Sequence, residues 1–347
     1  MGGDVDLLLE VSKELSSQFA VEVQAGPGTK LANADIVFVA NLDRPVEAFF
    51  TARKAKHNKI PVILYALHHP YKGIERYLRN TNPLTLKGMI ARLVQYNCSR
   101  YENIIALLFA FRNLLKLRRP YYKNIKHCQK YLLEMSDLIL VVNDKERSEI
   151  EIDFEIKLDR EKVLKFPHPL PKENDLDIRI TKSYGDYIVV AGRIELRKNQ
   201  LAILELAKKL PNTCFKFLGA ASVSEKRYFR KLIKGISSLN NCDYLGRKNF
   251  DEFIEILRGA KFVITGSYFE VLSLVELHAL LNGVPVIAFN SSYLDDFYYP
   301  SSDTLSRQLK EVIDSDGLNE SNLGYLFKYP SRQRLYIDLI NRISNLK

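Results

Sequence analysis

Residues 262–288, FVITGSYFEVLSLVELHALLNGVPVIA, restrict the fold more than any other stretch. Phe262 to Thr265 is a short apolar, β-branched run. Gly266 and Ser267 interrupt it, and Leu274, Val275, Leu277, His278 and Leu281 then recur near helical spacing. Gly283 and Pro285 stop that helix, and Val284 to Ala288 reads as a second buried strand. A strand, a helix and a strand joined by short connections belong to a parallel sheet. Ligands of such sheets sit outside the carboxyl ends of the strands, where Gly266 to Ser273 falls. The helix beginning near Ser273 points N–H groups and a positive dipole end outward, which suits a phosphate. Glu270, a carboxylate just ahead of those donors, suits a neutral, hydroxyl-rich group beside the phosphate.

The rest of the second half repeats the alternation. Strands are expected at Tyr187 to Ala191, Cys214 to Leu218 and Cys242 to Leu245, with helices from about Asn199 to Leu210, 224–238 and 250–258. This reads as a complete doubly wound α/β domain. After its first strand comes Gly192-Arg193-Ile-Glu-Leu-Arg197-Lys198-Asn199. A turn with cations just before a helix N-terminus is what a diphosphate requires, because charge-assisted bonds and backbone N–H groups converge there.

The 347 residues suit two domains, and 46% hydrophobic with 27% charged residues describes a globular chain. In the first half, Val5 to Leu15 reads as a helix, Val21 to Val23, Asp35 to Ala40 and Pro61 to Ala66 as strands, and Asp43 as the N-cap of a helix through about Asn58. Further strands are expected at Leu138 to Val142 and Val163 to Phe166, and a strand would ordinarily precede Gly2. Pro171 to Tyr184 reads as a linker, and a last helix, about Ser331 to Ser344, is free to pack elsewhere.

With both stretches in hand, the second half resembles the C-terminal domain of GT-B glycosyltransferases of family four, which are retaining enzymes using nucleotide-sugar donors. The family's strand-Gly-Arg-x4-Lys pattern falls on Gly192, Arg193 and Lys198. Its E-x7-E pattern, followed by A-x-x-x-G-x-P-V, falls on Glu270, Ala279, Gly283, Pro285 and Val286. The second glutamate of the pattern is His278 here, and Glu276 lies two residues off register. More loosely, Gly2-Gly3 is similar to the family's Gly-rich loop, and His68-His69 to its histidine after a strand of the first domain. The resemblance implies two Rossmann-like domains facing across a cleft. These are an acceptor-side domain over about 1–172 with a helical basic insertion at about 71–130, a donor domain over about 183–330, and a C-terminal helix at 331–347 returning to the first domain. It also implies a catalytic set of Arg193, Lys198, Glu270, His68 and His69, with donor contacts from Gly2, Gly3, Gly192, Leu272, Ser273, Leu274 and His278. No metal or other cofactor is expected. The partners would be a nucleoside diphosphate sugar and a glycan or lipid-linked acceptor.

The net charge of +10 is concentrated between Pro70 and Lys130, where thirteen Lys or Arg face only Glu75 and Glu102. Within this segment Ile104 to Arg118 is either an ordinary buried helix or an amphipathic one that meets an anionic membrane through its apolar face and Arg112, Lys116, Arg118 and Arg119. Neither a secretory leader nor a spanning segment is expected, so the location would be cytoplasmic, peripheral at a membrane face. Cys98, Cys128, Cys214 and Cys242 have no metal or CxxC spacing and read as free thiols. His57 and His127 read as surface residues, His168 as part of the hinge, and Asp314-Ser315-Asp316 as a loop. Two other classes stay open. A GT-B-like sugar-nucleotide epimerase would need carboxylate acid/base pairs, and the first half offers no obvious one. A basic nucleic-acid-binding protein would explain the charge but carries no recognised motif.

Overall fold

The computed structural model describes residues 3–24, 31, 33–115, 124–167, 185–222, 225–271, 273–282, 284, 286–288 and 332–346. The chain divides into two compact units, Met1–Leu170 with Pro330–Lys347, and Pro171–Tyr329.

The first unit contains α1 (Gly3–Leu15), β1 (Val37–Ala40), α2 (Pro45–His57), β2 (Val62–Tyr65), α3 (Tyr71–Arg79), α4 (Leu86–Leu93), α5 (Cys98–Leu115), α6 (Ile125–Met135), β3 (Leu138–Val141), α7 (Asp144–Phe154) and β4 (Val163–Lys165). Its strands are parallel, in the order β1-β2-β3-β4. The central β2 and β3 are buried at every position, whereas β1 at the edge alternates buried and half-buried residues. Strands covered on both faces by helices need such unbroken apolar runs. Leu64, Val141, Ala52, Ala55 and Phe154 share the core between sheet and helices.

The second unit contains β5 (Tyr187–Ala191), α8 (Gln200–Lys209), β6 (Cys214–Leu218), α9 (Lys226–Ile236), β7 (Cys242–Gly246), α10 (Phe250–Arg258), β8 (Ala260–Thr265), α11 (Leu274–Leu281) and β9 (Val286–Ala288). All pairings are parallel, in the order β7-β6-β5-β8-β9. The winding reverses between β5 and β8, so the segments leaving these two strands diverge and open a crevice at their carboxyl ends. Ile188, Val190, Phe215, Phe217, Ile264 and Ile203 fill the core beneath it.

The last helix, α12 (Arg332–Ser344), packs on α1 of the first unit. Arg332 pairs with Glu10 and, at 2.6 Å, with Glu14. The Tyr336 ring lies edge-on to Phe166, with centroids 5.7 Å apart.

Three expectations differ from the structure. Val21 to Val23 forms no strand: both valines are exposed, and β-branching without a buried face does not make one. Asp43 does not cap α2. Arg44 occupies that position without a side-chain cap, and the Asp43 carboxylate is engaged by His69 instead. The helix expected from Ile104 starts at Cys98, because the Asn97 side chain accepts the Arg100 amide at 3.0 Å and starts it earlier. The Pro171 to Tyr184 linker, residues 116–119, His168 and Asp314 to Asp316 lie outside the described residues.

Candidate functional site

The crevice edge of the second unit is built on glycines that bring backbones together. Gly192, directly after β5, has φ of +136°, and Gly219, directly after β6, has φ of +140°. A Cβ on Gly219 would lie 1.9 Å from the Gly192 carbonyl oxygen, so the two turns stack main chain against main chain. Hydrogen bonds from the Gly192 amide to Leu218 (3.0 Å) and from the Ile194 amide to Ala220 (2.9 Å) fix the stack. Leu196–Lys198 then forms one 3-10 turn, and Asn199, in the left-handed region at φ 55°, leads into α8. Gln200, the first residue of α8, donates back to the Arg193 carbonyl at 2.8 Å.

This turn is joined to the segment after β8. The Tyr268 amide donates to the Arg197 carbonyl at 3.0 Å, and a Cβ on Gly266 would come within 3.2 Å of the Asn199 carbonyl oxygen. Across the junction lies an ion-pair network. Lys198 Nζ pairs with Glu270 Oε1, and Arg197 Nη1 lies 3.1 Å from Glu270 Oε2. Arg197 Nη2 also lies 3.2 Å from Glu195 Oε1, and Nη1 donates to the Phe269 carbonyl at 3.3 Å. Ser267 donates to Glu270 at 2.6 Å. The Glu270 side chain is only 4% exposed. Burial alone would raise its pKa, but the charges of Lys198 and Arg197, helped by the Ser267 hydrogen bond, bring it down to about 2. Arg193, by contrast, is 58% exposed and only 4.0 Å from Glu195 Oε2 at its nearest.

On α11, Glu276 is fully buried and accepts a 2.6 Å hydrogen bond from Thr265 at the end of β8. Ser267 and Ser273 are buried beside the crevice, and Leu274 begins the helix. His278 turns towards α10, edge-on to Phe250 with centroids 5.2 Å apart, and burial lowers its pKa, which keeps the imidazole neutral.

The first unit has its own cluster at the carboxyl edge of its sheet. His68, after β2, is 1% exposed. Its Nε2 lies 2.8 Å from Asp153 of α7, and its Nδ1 lies 3.7 Å from Asp43, an ion-pair distance longer than a hydrogen bond. Burial disfavours a charged ring, yet the two carboxylates prevail and raise its pKa to about 10, so His68 is an imidazolium. The neighbouring His69 pairs through Nδ1 with Asp43, and its ring is 24% exposed. Glu146 spans the amides of His68 (2.7 Å) and Val142 (2.5 Å), with its pKa pushed up to about 7 by burial. Burial together with the charge of Asp43 pushes Glu102 up to about 8. Among the described residues no group of His, Cys, Asp or Glu is arranged to hold a metal ion.

The structure thus gathers Gly192, Lys198, Glu270 and Ser273 at one sheet edge, with the exposed Arg193 directly after Gly192, and His68 and His69 at the edge of the other sheet. Gly3 is the first residue of α1 rather than part of a loop, and Gly2 and Leu272 lie outside the described residues. Sequence reasoning counted Arg197 only among the cations of the turn and assigned no role to Glu195, Ser267 or Glu276. Arg197 stood next to Lys198, but only the fold shows which carboxylates it meets. The first half does contain converging carboxylates, Asp43 before α2, Glu102 on α5, and Glu146 and Asp153 on α7, drawn from three separate segments and therefore not evident as a sequence pair. Asp153 and Glu146 are committed to His68 and to backbone amides.

Residues 172–298 match the family model for Glycosyl transferases group 1, so the second half carries a domain of that type. No curated protein matches the chain. Among solved structures, sucrose-phosphate synthase from Thermosynechococcus elongatus is similar with a TM-score of 0.67 at 11% identity, over 99% of this chain and 94% of that one. TarM of S. aureus, in complex with Fondaparinux, alpha-GlcNAc-glycerol and UDP, gives 0.53 at 12% identity over 81% and 50%. The pneumococcal O-GlcNAc transferase GtfA, with UDP and GlcNAc, gives 0.52 at 14% over 86% and 55%. The chain therefore spans about half the length of the TarM and GtfA chains it matches. At these identities the likeness is one of fold, an α/β chain of the GT-B type with two Rossmann-like parallel sheets.

Proposed function

We propose that the chain is a glycosyltransferase that moves a sugar from a nucleoside diphosphate sugar to a glycan or lipid-linked acceptor. The observation that carries the reading is the convergence of Lys198, Arg197 and Glu270 beside the stacked Gly192 and Gly219 turns, at the switch point of a parallel sheet. The diphosphate would take Lys198 and the exposed Arg193 as its cations, with Gly192 leaving room for its approach. Both cations would offset the negative charge that grows on the diphosphate as the glycosidic bond breaks. Glu270 would turn to the sugar hydroxyls once Lys198 is shared with phosphate, remaining ionised through Arg197. The N-terminus of α11 at Ser273 and Leu274 would face the same ligand, with Leu272 between Glu270 and them in sequence. Glu276 and His278 are the two polar side chains of α11 in the region where the family holds ribose.

In the first unit, His69, partly exposed, would be the histidine that meets a ligand, since His68 is enclosed by its carboxylates. That unit would supply the acceptor side. Retention of configuration, independence of metal, a role in cell-surface polysaccharide or glycolipid synthesis, and a cytoplasmic, membrane-peripheral location complete the proposal. The UDP and sugar ligands of TarM and GtfA support the donor class. A panel of nucleoside diphosphate sugars tests it by thermal shift. A true donor at a hundred times its Kd stabilises by about 2.7 kcal/mol, and Lys198→Ala should lower turnover by about 10²-fold. No shift with any member of the panel would overturn the reading.

A further inference from the structure

The short helix α4 has two apolar faces, and among the described residues only one is packed. Gly88, Ile90 and Ala91 are buried where the helix packs against α3 and α5. Thr85 caps it by accepting the Gly88 amide at 3.1 Å, and a Cβ on Gly88 would lie 1.9 Å from the Asn82 carbonyl oxygen, so the helix is seated tightly on the turn before it. Leu86, Met89 and Leu93, spaced i, i+3 and i+7 on the other face, are 64%, 53% and 77% exposed, and Leu84 just ahead of them is 81% exposed. A surface helix of a globular unit ordinarily turns polar residues outward, and a contiguous apolar patch of this kind marks an interaction site.

The charge around the patch selects the occupant. From Arg76 to Tyr101 there is no acidic residue, while Arg76, Arg79, Lys87, Arg92 and Arg100 fall in that stretch. Arg92 and Arg100 are exposed. A second copy of the same face would bring like charges together, whereas a surface that is apolar below and anionic above satisfies both features. We propose that α4 is a lipid-docking element, with Leu84, Leu86, Met89 and Leu93 entering the headgroup boundary of an anionic bilayer while the flanking arginines meet its phosphates. Among the described residues no helix is long and apolar enough to cross a membrane, so this contact is peripheral. The inference rests on the membrane-peripheral part of the proposed function, which it assigns to α4, and it is independent of the donor chemistry.

Flotation with vesicles of phosphatidylcholine alone, or of equal parts phosphatidylcholine and phosphatidylglycerol, tests it on the full chain. The wild type should float with the anionic vesicles and not with the neutral ones. Leu86→Ser with Met89→Ser and Leu93→Ser should weaken that binding by about ten-fold or more, at unchanged far-UV circular dichroism, because insertion scales with buried apolar area. Arg92→Glu with Arg100→Glu leaves the apolar face intact and should weaken it as well. Any of three results would overturn the proposal. These are no anionic binding by the wild type at low salt, wild-type binding by both variants, or a concentration-dependent dimer that the serine variant abolishes while vesicle binding is absent. Loss of binding on neutralising Arg112, Lys116, Arg118 and Arg119, with both α4 variants unaffected, would equally overturn it by assigning the contact to the α5 region.

Discussion

Replacing Glu270 by glutamine keeps the shape of the side chain and an oxygen for the Ser267 hydroxyl, but removes the charge that Lys198 and Arg197 share. A carboxyl that titrates near 4.5 in the unfolded chain and at about 2 in this network stabilises the folded state at neutral pH by about 3 kcal/mol. Because the folded pKa is the lower one, that contribution is complete above about pH 4.5 and is lost as the pH falls towards 2. Urea unfolding of wild type and Glu270→Gln, followed by far-UV circular dichroism at several pH values from 7 downward, should show a gap of about 3 kcal/mol at neutral pH. The gap should close as the solution is acidified, since carboxyls common to both proteins cancel in the difference. The same variant frees Lys198 while Arg197 keeps Glu195, so a plain nucleoside diphosphate should bind as well or more tightly while the sugar nucleotide binds less well. A stability gap that stays constant with pH would refute the ion-pair argument. Equal weakening of both ligands would refute the assignment of Glu270 to the sugar.

The first unit should respond to pH in the opposite sense. His68 has its folded pKa raised to about 10, so its contribution is complete below about 6.5 and is lost as the pH rises through 10. Glu146 at about 7 and Glu102 at about 8 add to the same trend. His68→Gln should cost about 3–5 kcal/mol by leaving Asp43 and Asp153 without their cation and should flatten the alkaline slope in urea titrations, which an unchanged slope would contradict. Gly219→Ala should cost roughly 2–6 kcal/mol, from a strained φ and a main-chain collision with Gly192. Gly246→Ala, also at positive φ but with open space around its Cβ, should cost only about 1–2 kcal/mol, and thermal melts of the pair separate collision from conformation. Arg197→Gln should raise the KM for the sugar nucleotide by about ten-fold, as the loss of roughly one hydrogen-bonded charge, with Arg197→Lys intermediate in steady-state assays.

The second unit was largely legible because its signals are local. Each strand is a short, mainly apolar stretch, each helix one periodic stretch, and the Gly192 to Asn199 turn carries glycine, cations and helix start within a few positions. Side-chain partnership was not legible. Lys198 was expected to await a phosphate, and here it is paired with Glu270, a carboxylate 72 positions away that the fold brings to the same edge. Glu276 read as off register for ribose, yet it lies beneath Thr265 because the third residue of α11 faces the strand below. The first unit was harder for the same reason: Asp43, Glu102, Glu146 and Asp153 each look unremarkable in their own segment, and only tertiary contact makes them one cluster. Val21 to Val23 failed from the other side, since strand preference there had no buried face to support it.

The placement of α12 changes what counts as the end of the first unit. Its Arg332 neutralises two glutamates of the opening helix, and its Tyr336 covers Phe166 next to β4. The polypeptide therefore leaves this unit, traverses the whole of the other, and comes back to finish it. A fragment ending at Leu170 would lack its own closing piece, with Glu10 and Glu14 without Arg332 and Phe166 without the cover of Tyr336. A synthetic peptide of α12 added in trans would be its natural complement. Anyone wishing to study the two units apart would have to excise the middle of the chain, not divide it in two.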